Sequence, residues 1–150
     1  MRPSFGQAIS WRAKASLDRH VAAMQVLEIS DVEGGTGGKA IYRAPVRTQP
    51  QGSLCTAHVF QQIPGQNRIF MGWYSQGTQV VDYIEHADGS FEFVPVAYFI
   101  PENANTWTSA VFSFEENPDG TFTYYGATGD FALGNGRSAI DVYKVTLPPP

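Results

Sequence analysis

The sequence predicts an all-β domain: an antiparallel barrel of eight or nine strands behind an N-terminal arm. Three observations carry this. From His20 onward, strand-like runs recur at hairpin spacing, near 20–32, 38–46, 53–63, 68–75, 78–87, 90–100, 107–116, 121–126 and 137–147. Compact turn signals separate them. Finally, "VVDYIEH" (80–86) sets Val81, Tyr83 and Glu85 on one face, and Val80, Asp82, Ile84 and His86 on the other. Polar groups on both faces suit a small barrel whose inner face is not wholly dry, although an edge strand reads similarly.

The whole chain, 1–150, reads as one domain. Residues 1–19 form the arm, with a short helix around Trp11 to Asp18; Trp11 and Leu17 supply too little apolar surface to hold it without tertiary packing. Residues 20–147 form the barrel. Its turns fall at Gly34 to Gly38, Pro50-Gln51-Gly52, Pro64 to Asn67, Gln76-Gly77, Asp88-Gly89, Pro101 to Asn105 and Asn117 to Gly120. Asp88-Gly89 between "VVDYIEH" and "SFEFVPVAYF" is the strongest hairpin signal, because both residues tolerate a positive φ. Pro148-Pro149-Pro150 cannot extend a ladder and reads as a tail.

Charge and cysteine content narrow the function classes. A net charge of −4 argues against an electrostatic grip on nucleic acid or an anionic membrane. Cys55 is the single cysteine, so no internal disulfide forms and no thiolate pair is at hand for zinc. Arg12, Lys14, Asp18 and Arg19 break up any secretory apolar stretch in the first 30 residues, and no apolar run is long enough to span a membrane. The expectation is a cytoplasmic protein.

Several catalytic motifs fail on inspection. "GGTGGKA" (34–40) misses the phosphate-loop pattern, since Glu33 stands at the first glycine and Ala40 at the hydroxyl position. "GNGRSA" lacks the third glycine of a dinucleotide fingerprint and precedes a strand. No G-x-S-x-G elbow occurs. His20, His58 and His86 are scattered, so the sequence assigns no metal site and implies no cofactor.

One segment is more specific. "GATGDFALGNGRSAIDVYKV" (126–145) sets Gly126, Gly129, Gly134 and Gly136 before a final strand. It resembles the G-[GA]-T-G-x-F-x-x-[AG]-x-G segment before the last strand of the dirigent and allene oxide cyclase-like β-barrels. The bacterial relatives it is similar to include polyketide-tailoring cyclases of the spirotetronate type. Physically, such glycines let a strand bend at a barrel corner or let a neighbour approach closely, with Phe131 plugging one end.

The resemblance implies a cyclase or isomerase of natural-product biosynthesis. It would work without a cofactor by folding an apolar substrate inside the lumen of a homo-oligomer, a dimer in the simplest case. A non-catalytic carrier of lipocalin-like outline is the alternative, and a filled structural barrel the third reading. Strand alternation offers Trp73, Tyr83, Tyr98, Phe112, Tyr124 and Tyr143 as lumen residues that contact substrate, with the inward parity open. Glu85 and His58 are the candidate catalytic groups. Each has a plainer alternative: Glu85 as a solvent-facing carboxylate near the turn, His58 as a satisfied polar residue. Because Trp73 and Tyr74 point to opposite faces, one of them is expected outside the barrel.

Overall fold

The computed structural model describes residues 7–12, 23–28, 40–42, 44–45, 47, 56–88, 90–131 and 138–150, and for 7–12, 23–28 and 40–41 the backbone alone. The loop at 34–38, Cys55, Gly89, Gly134 and Gly136 lie outside them. The described chain is all-β. Its strands are β1 (Gln7–Arg12), β2 (Ala23–Glu28), β3 (Ala40–Tyr42), β4 (Phe60–Gln62), β5 (Arg68–Gly72), β6 (Thr78–Glu85), β7 (Phe91–Phe99), β8 (Thr106–Glu116), β9 (Phe122–Phe131) and β10 (Ser138–Leu147). Among the described residues no helix is long and apolar enough to cross a membrane.

These strands build three antiparallel sheets, in the orders β1-β2-β3, β4-β5-β6-β7 and β10-β9-β8. No sheet closes on itself among the described residues. Bridges from Val59 to Thr108 and from Tyr74 to Thr106 tie the second sheet to the third. Residues 7–12 are a strand paired with β2 rather than the start of a short helix at Trp11.

The turn chemistry acts as the sequence suggests. Asp88 accepts hydrogen bonds from the backbone N–H and hydroxyl of Ser90, holding the β6–β7 hairpin. Gly120 closes the β8–β9 hairpin at φ 81, donating its N–H to the Asn117 carbonyl.

The four-stranded sheet is the middle layer. On one face Ile69, Met71, Trp73 and Val81 pack with Tyr42 of β3, Ala44 and Ala57. On the other, Phe70 and Val80 pack with Ile63, Val111, Tyr124 and Leu147, so the β8–β10 sheet covers that side. β5 is therefore buried along its whole length, and so are the first residues of β6. Alternation in a strand normally leaves one face polar; burial on both faces forces the near-continuous apolar run "IFMGWY".

The glycines of the 126–136 segment do not turn a corner where they are described. β9 runs on through Gly126 and Gly129 to Phe131, and neither glycine has a positive φ. Their effect is close approach. A Cβ on Gly126 would lie 2.4 Å from the ring of Tyr143, its cross-strand partner on β10. Gly72 does the same for the sheet junction, where a Cβ would meet the Trp107 carbonyl carbon at 2.6 Å. Gly126→Ala should accordingly destabilise by about 1–3 kcal/mol through overpacking. Tyr143→Leu in the same chain should recover part of that loss in urea unfolding, and strict additivity of the two would refute the steric account.

Candidate functional site

Trp73 and Tyr83, with Val81 and Met71, meet on the face of the middle sheet that looks toward β3. Trp73 is fully buried at the end of β5, and Tyr42 meets its ring edge-on at 5.6 Å. Phe93 lies 6.1 Å from Tyr42, and half-buried Phe60, Tyr83 and Phe93 border the cluster. Among the described residues the Trp73 indole N–H has no acceptor, and Gln66 Nε2 and Thr78 Oγ1 elsewhere likewise have no partner. A donor left unpaired in an apolar surround is unfavourable by about 1–3 kcal/mol, and a ligand oxygen is the kind of group that removes the penalty.

Polar groups mark the two ends of this face. At one end Gln62 donates to the Tyr83 hydroxyl, and Glu85 follows two residues on along β6. Burial pushes the Tyr83 phenol above its ordinary value, and the Glu85 charge adds to the rise. At the other end the Arg47 guanidinium lies over the Tyr98 ring at 3.9 Å, and its Nη1 donates to Gln79 Oε1 at 3.5 Å. Gln76 accepts the Arg47 backbone N–H at 2.7 Å. Burial also raises the Tyr42 phenol, against the pull of nearby Arg47. Neutral phenols and an indole make this a face of hydrogen-bond donors set in aromatic carbon.

The opposite face carries a different polar group. Arg68 is fully buried and forms a two-point pair with Asp82, Nε to Oδ1 at 2.7 Å and Nη2 to Oδ2 at 2.8 Å. Its Nη1 donates to the Tyr124 hydroxyl and to the Pro148 carbonyl, each at 2.9 Å. Tyr124 in turn donates to Gln66 Oε1 at 2.6 Å. This network fastens β5, β6, β9 and the chain's last residues together; with four of its guanidinium N–H groups held by structural partners, it serves the fold.

The remaining sequence candidates fall elsewhere. Tyr124 and Tyr143 belong to the core between the middle sheet and β8–β10. There the Tyr143 hydroxyl meets Ser109 Oγ at 2.9 Å, and its ring stacks on Phe70. Phe112 is 67% exposed on the far side of β8. Glu85 is exposed toward the β6–β7 hairpin. His58 sits at the sheet junction, its ring 3.7 Å from that of Trp107 and its Nδ1–H donating to the Trp107 carbonyl. Trp73 and Tyr74 point apart as expected, but both are buried within the chain, Tyr74 against His58, Trp107 and Phe131.

Sequence reasoning missed Tyr42, Phe93, Gln62 and Arg47. Tyr42 and Phe93 carry a visible signal, as aromatics in strand runs, whereas Arg47 reads only as a loop cation. Among the described residues no three His, Cys, Asp or Glu side chains stand together as metal ligands. No family model, curated protein or solved structure matches the chain.

Burial raises the phenols of Tyr42, Tyr74, Tyr83, Tyr124 and Tyr143 in the folded chain. A raised folded pKa favours the fold while unfolded tyrosine is still protonated. Stability should therefore hold up to about pH 10 and decline as pH rises from there through the folded values. Tyrosinate absorbance should rise at higher pH in the native protein than in urea; coincident titrations would contradict this packing.

Proposed function

We propose that the chain is a cofactor-independent cyclase or isomerase that holds an apolar, oxygen-bearing small molecule against the Trp73–Tyr83 face. The Trp73 indole N–H, without an acceptor among the described residues and inside an aromatic cluster, is the observation that carries this reading. A carbonyl or ether oxygen on the ligand accepts that hydrogen bond, and the rings of Tyr42, Phe60, Phe93 and Tyr83 fix one conformer of a flexible chain. Ring closure then draws mainly on orientation and exclusion of water, with the donor steadying charge that develops on the oxygen. The barrel enters this reading as the wall of which the three sheets are arcs. The Val59–Thr108 and Tyr74–Thr106 bridges join two of them, and β3 lies beside β7 to bring in the third. The resemblance of the 126–145 segment to that of the dirigent and allene oxide cyclase-like barrels supports the same scaffold, although Gly126 and Gly129 turn no corner.

A carrier that binds without turnover is the second reading. It is favoured by the positions of the acid–base candidates: Glu85 is exposed at the outer end of β6, and His58 packs on Trp107 rather than on Trp73.

Binding of a long-chain ketone and of the matching alkene, followed by tryptophan fluorescence, tests the site. The native chain should prefer the ketone, and Trp73→Phe should remove that preference, about a tenfold loss for one hydrogen bond, with alkene affinity unchanged. Equal affinities for both probes in both proteins would contradict the site. Incubation with linear polyene ketones separates the two readings. A product of unchanged mass and shifted retention marks a cyclase; binding with no product leaves the carrier.

A further inference from the structure

The face toward β3 carries a cation at one end, and that cation is held in place. Arg47 is exposed, yet its backbone N–H is accepted by buried Gln76 at 2.7 Å and its guanidinium carbon lies 3.9 Å from the centre of the Tyr98 ring. Its Nη1 donates to the Pro45 carbonyl at 3.3 Å and to buried Gln79 at 3.5 Å. Nη1 makes both side-chain bonds, so the Nε and Nη2 donors meet no acceptor among the described residues. Ion pairs there join Arg68 to Asp82 and His86 to Glu92, and neither involves Arg47. Arg68 shows what the same edge of a guanidinium takes: its Nε and Nη2 hold the two Asp82 oxygens at 2.7 and 2.8 Å. A guanidinium already stacked and tethered loses little freedom on pairing with such a group.

Register puts this edge at the Trp73 end of the face. The Trp73 backbone N–H donates to the Gly77 carbonyl at 2.8 Å. Gln79, which holds Arg47, follows Gly77 by two residues, about 7 Å along the strand. Tyr42 links the two donors. Its ring meets Trp73 edge-on at 5.6 Å, and Arg47 is near enough to act on its phenol. Tyr83 and then Glu85 lie farther along β6, about 13 and 20 Å beyond Gln79. An anionic head is therefore drawn to the Arg47 end and repelled from the Glu85 end, which fixes the direction in which a chain-like molecule lies. We propose, resting on the Trp73 reading above, that the ligand is an apolar oxo acid. The Nε–Nη2 edge of Arg47 pairs with its carboxylate, and Trp73 donates to a ketone oxygen a few carbons along. The hydrocarbon tail runs past Phe60 toward Phe93 and Tyr83.

The carboxylate on exposed Arg47 keeps part of its water, so the pairing is modest. Two parallel charge-assisted hydrogen bonds at such a place are worth about tenfold in affinity, and salt screens them.

Calorimetric titration with a long-chain γ-oxo acid, its methyl ester, and the isomeric acid whose ketone lies near the tail tests the proposal. The native chain should bind the γ-oxo acid about tenfold more tightly than the ester, with the gap narrowing as salt rises. Arg47→Gln should erase that gap and leave the ester affinity and the melting temperature as they were, since the side chain is exposed. Trp73→Phe should keep the gap but remove the advantage of the γ-oxo acid over its isomer. Equal affinity for acid and ester in the native chain, or a preference for acid that survives Arg47→Gln, overturns the proposal. If the ketone is still preferred to the alkene in that case, the Trp73 site stands without the acid. If that preference is absent too, the Trp73 reading falls with it. Equal affinity of the native chain for the two isomeric acids refutes the placing of both polar groups at one end.

Discussion

Burial of β5 on both faces is the constraint on which the rest of the structure depends. A strand so placed has no solvent side, so every side chain from Arg68 to Tyr74 must find a partner inside the molecule. The apolar ones do so by packing, Ile69, Met71 and Trp73 one way and Phe70 the other. Arg68 cannot. Placing a guanidinium there is unfavourable unless its donors are met, and Asp82, Tyr124 and the Pro148 carbonyl meet four of them. The partners lie on β6, β9 and the end of the chain, so satisfying one charge fixes the relation of three segments. Gly72 completes the arrangement by letting the Trp107 backbone cross where a side chain would block it.

The two faces of that strand divide the chemistry of the molecule. Toward β8–β10 the polar atoms are largely consumed: Arg68 by its network, Tyr143 by Ser109, the Val111 backbone by Gln61 at its bulge. Among the described residues three buried polar atoms are left over: Gln66 Nε2 beside the Arg68–Tyr124 network, Thr78 Oγ1, and Trp73 Nε1 toward β3. The Trp73 N–H, at zero exposure, has no acceptor among the described residues and lies in the same layer that Arg47 and Glu85 bracket. An indole donor left without an acceptor among the described residues, inside an aromatic cluster, invites a functional explanation. That indole, more than any motif, directs the functional reading to the β3 side.

Much of this was legible in the sequence, because local chemistry writes itself locally. The hairpins at Asp88 and Asn117–Gly120 announce their turns, and alternation puts Trp73 with Met71 and Tyr83 with Val81 on shared faces. What failed was nonlocal. Gly126 reads as a corner, yet its role is room for the Tyr143 ring one strand away, and nothing near position 126 names that ring. Tyr124 reads as a pocket wall because the sequence does not show that Arg68, 56 positions earlier, is buried against it. The strand at 7–12 was missed because its stabilising partner is β2, and too few apolar residues in the segment foretell the pairing. Strand parity was readable; which parity meets which layer depends on how sheets stack.

Native-state hydrogen exchange tests the central role of β5 most directly. If the middle sheet is held from both sides and clamped by Arg68, the amides of β5 and of Thr78–Val81 should exchange last, through global unfolding alone. Their exchange free energies should equal the stability measured by denaturant, while the β8–β10 hairpins open at lower energy. Protection that is highest in β8–β10, with β5 exchanging early, would contradict the account.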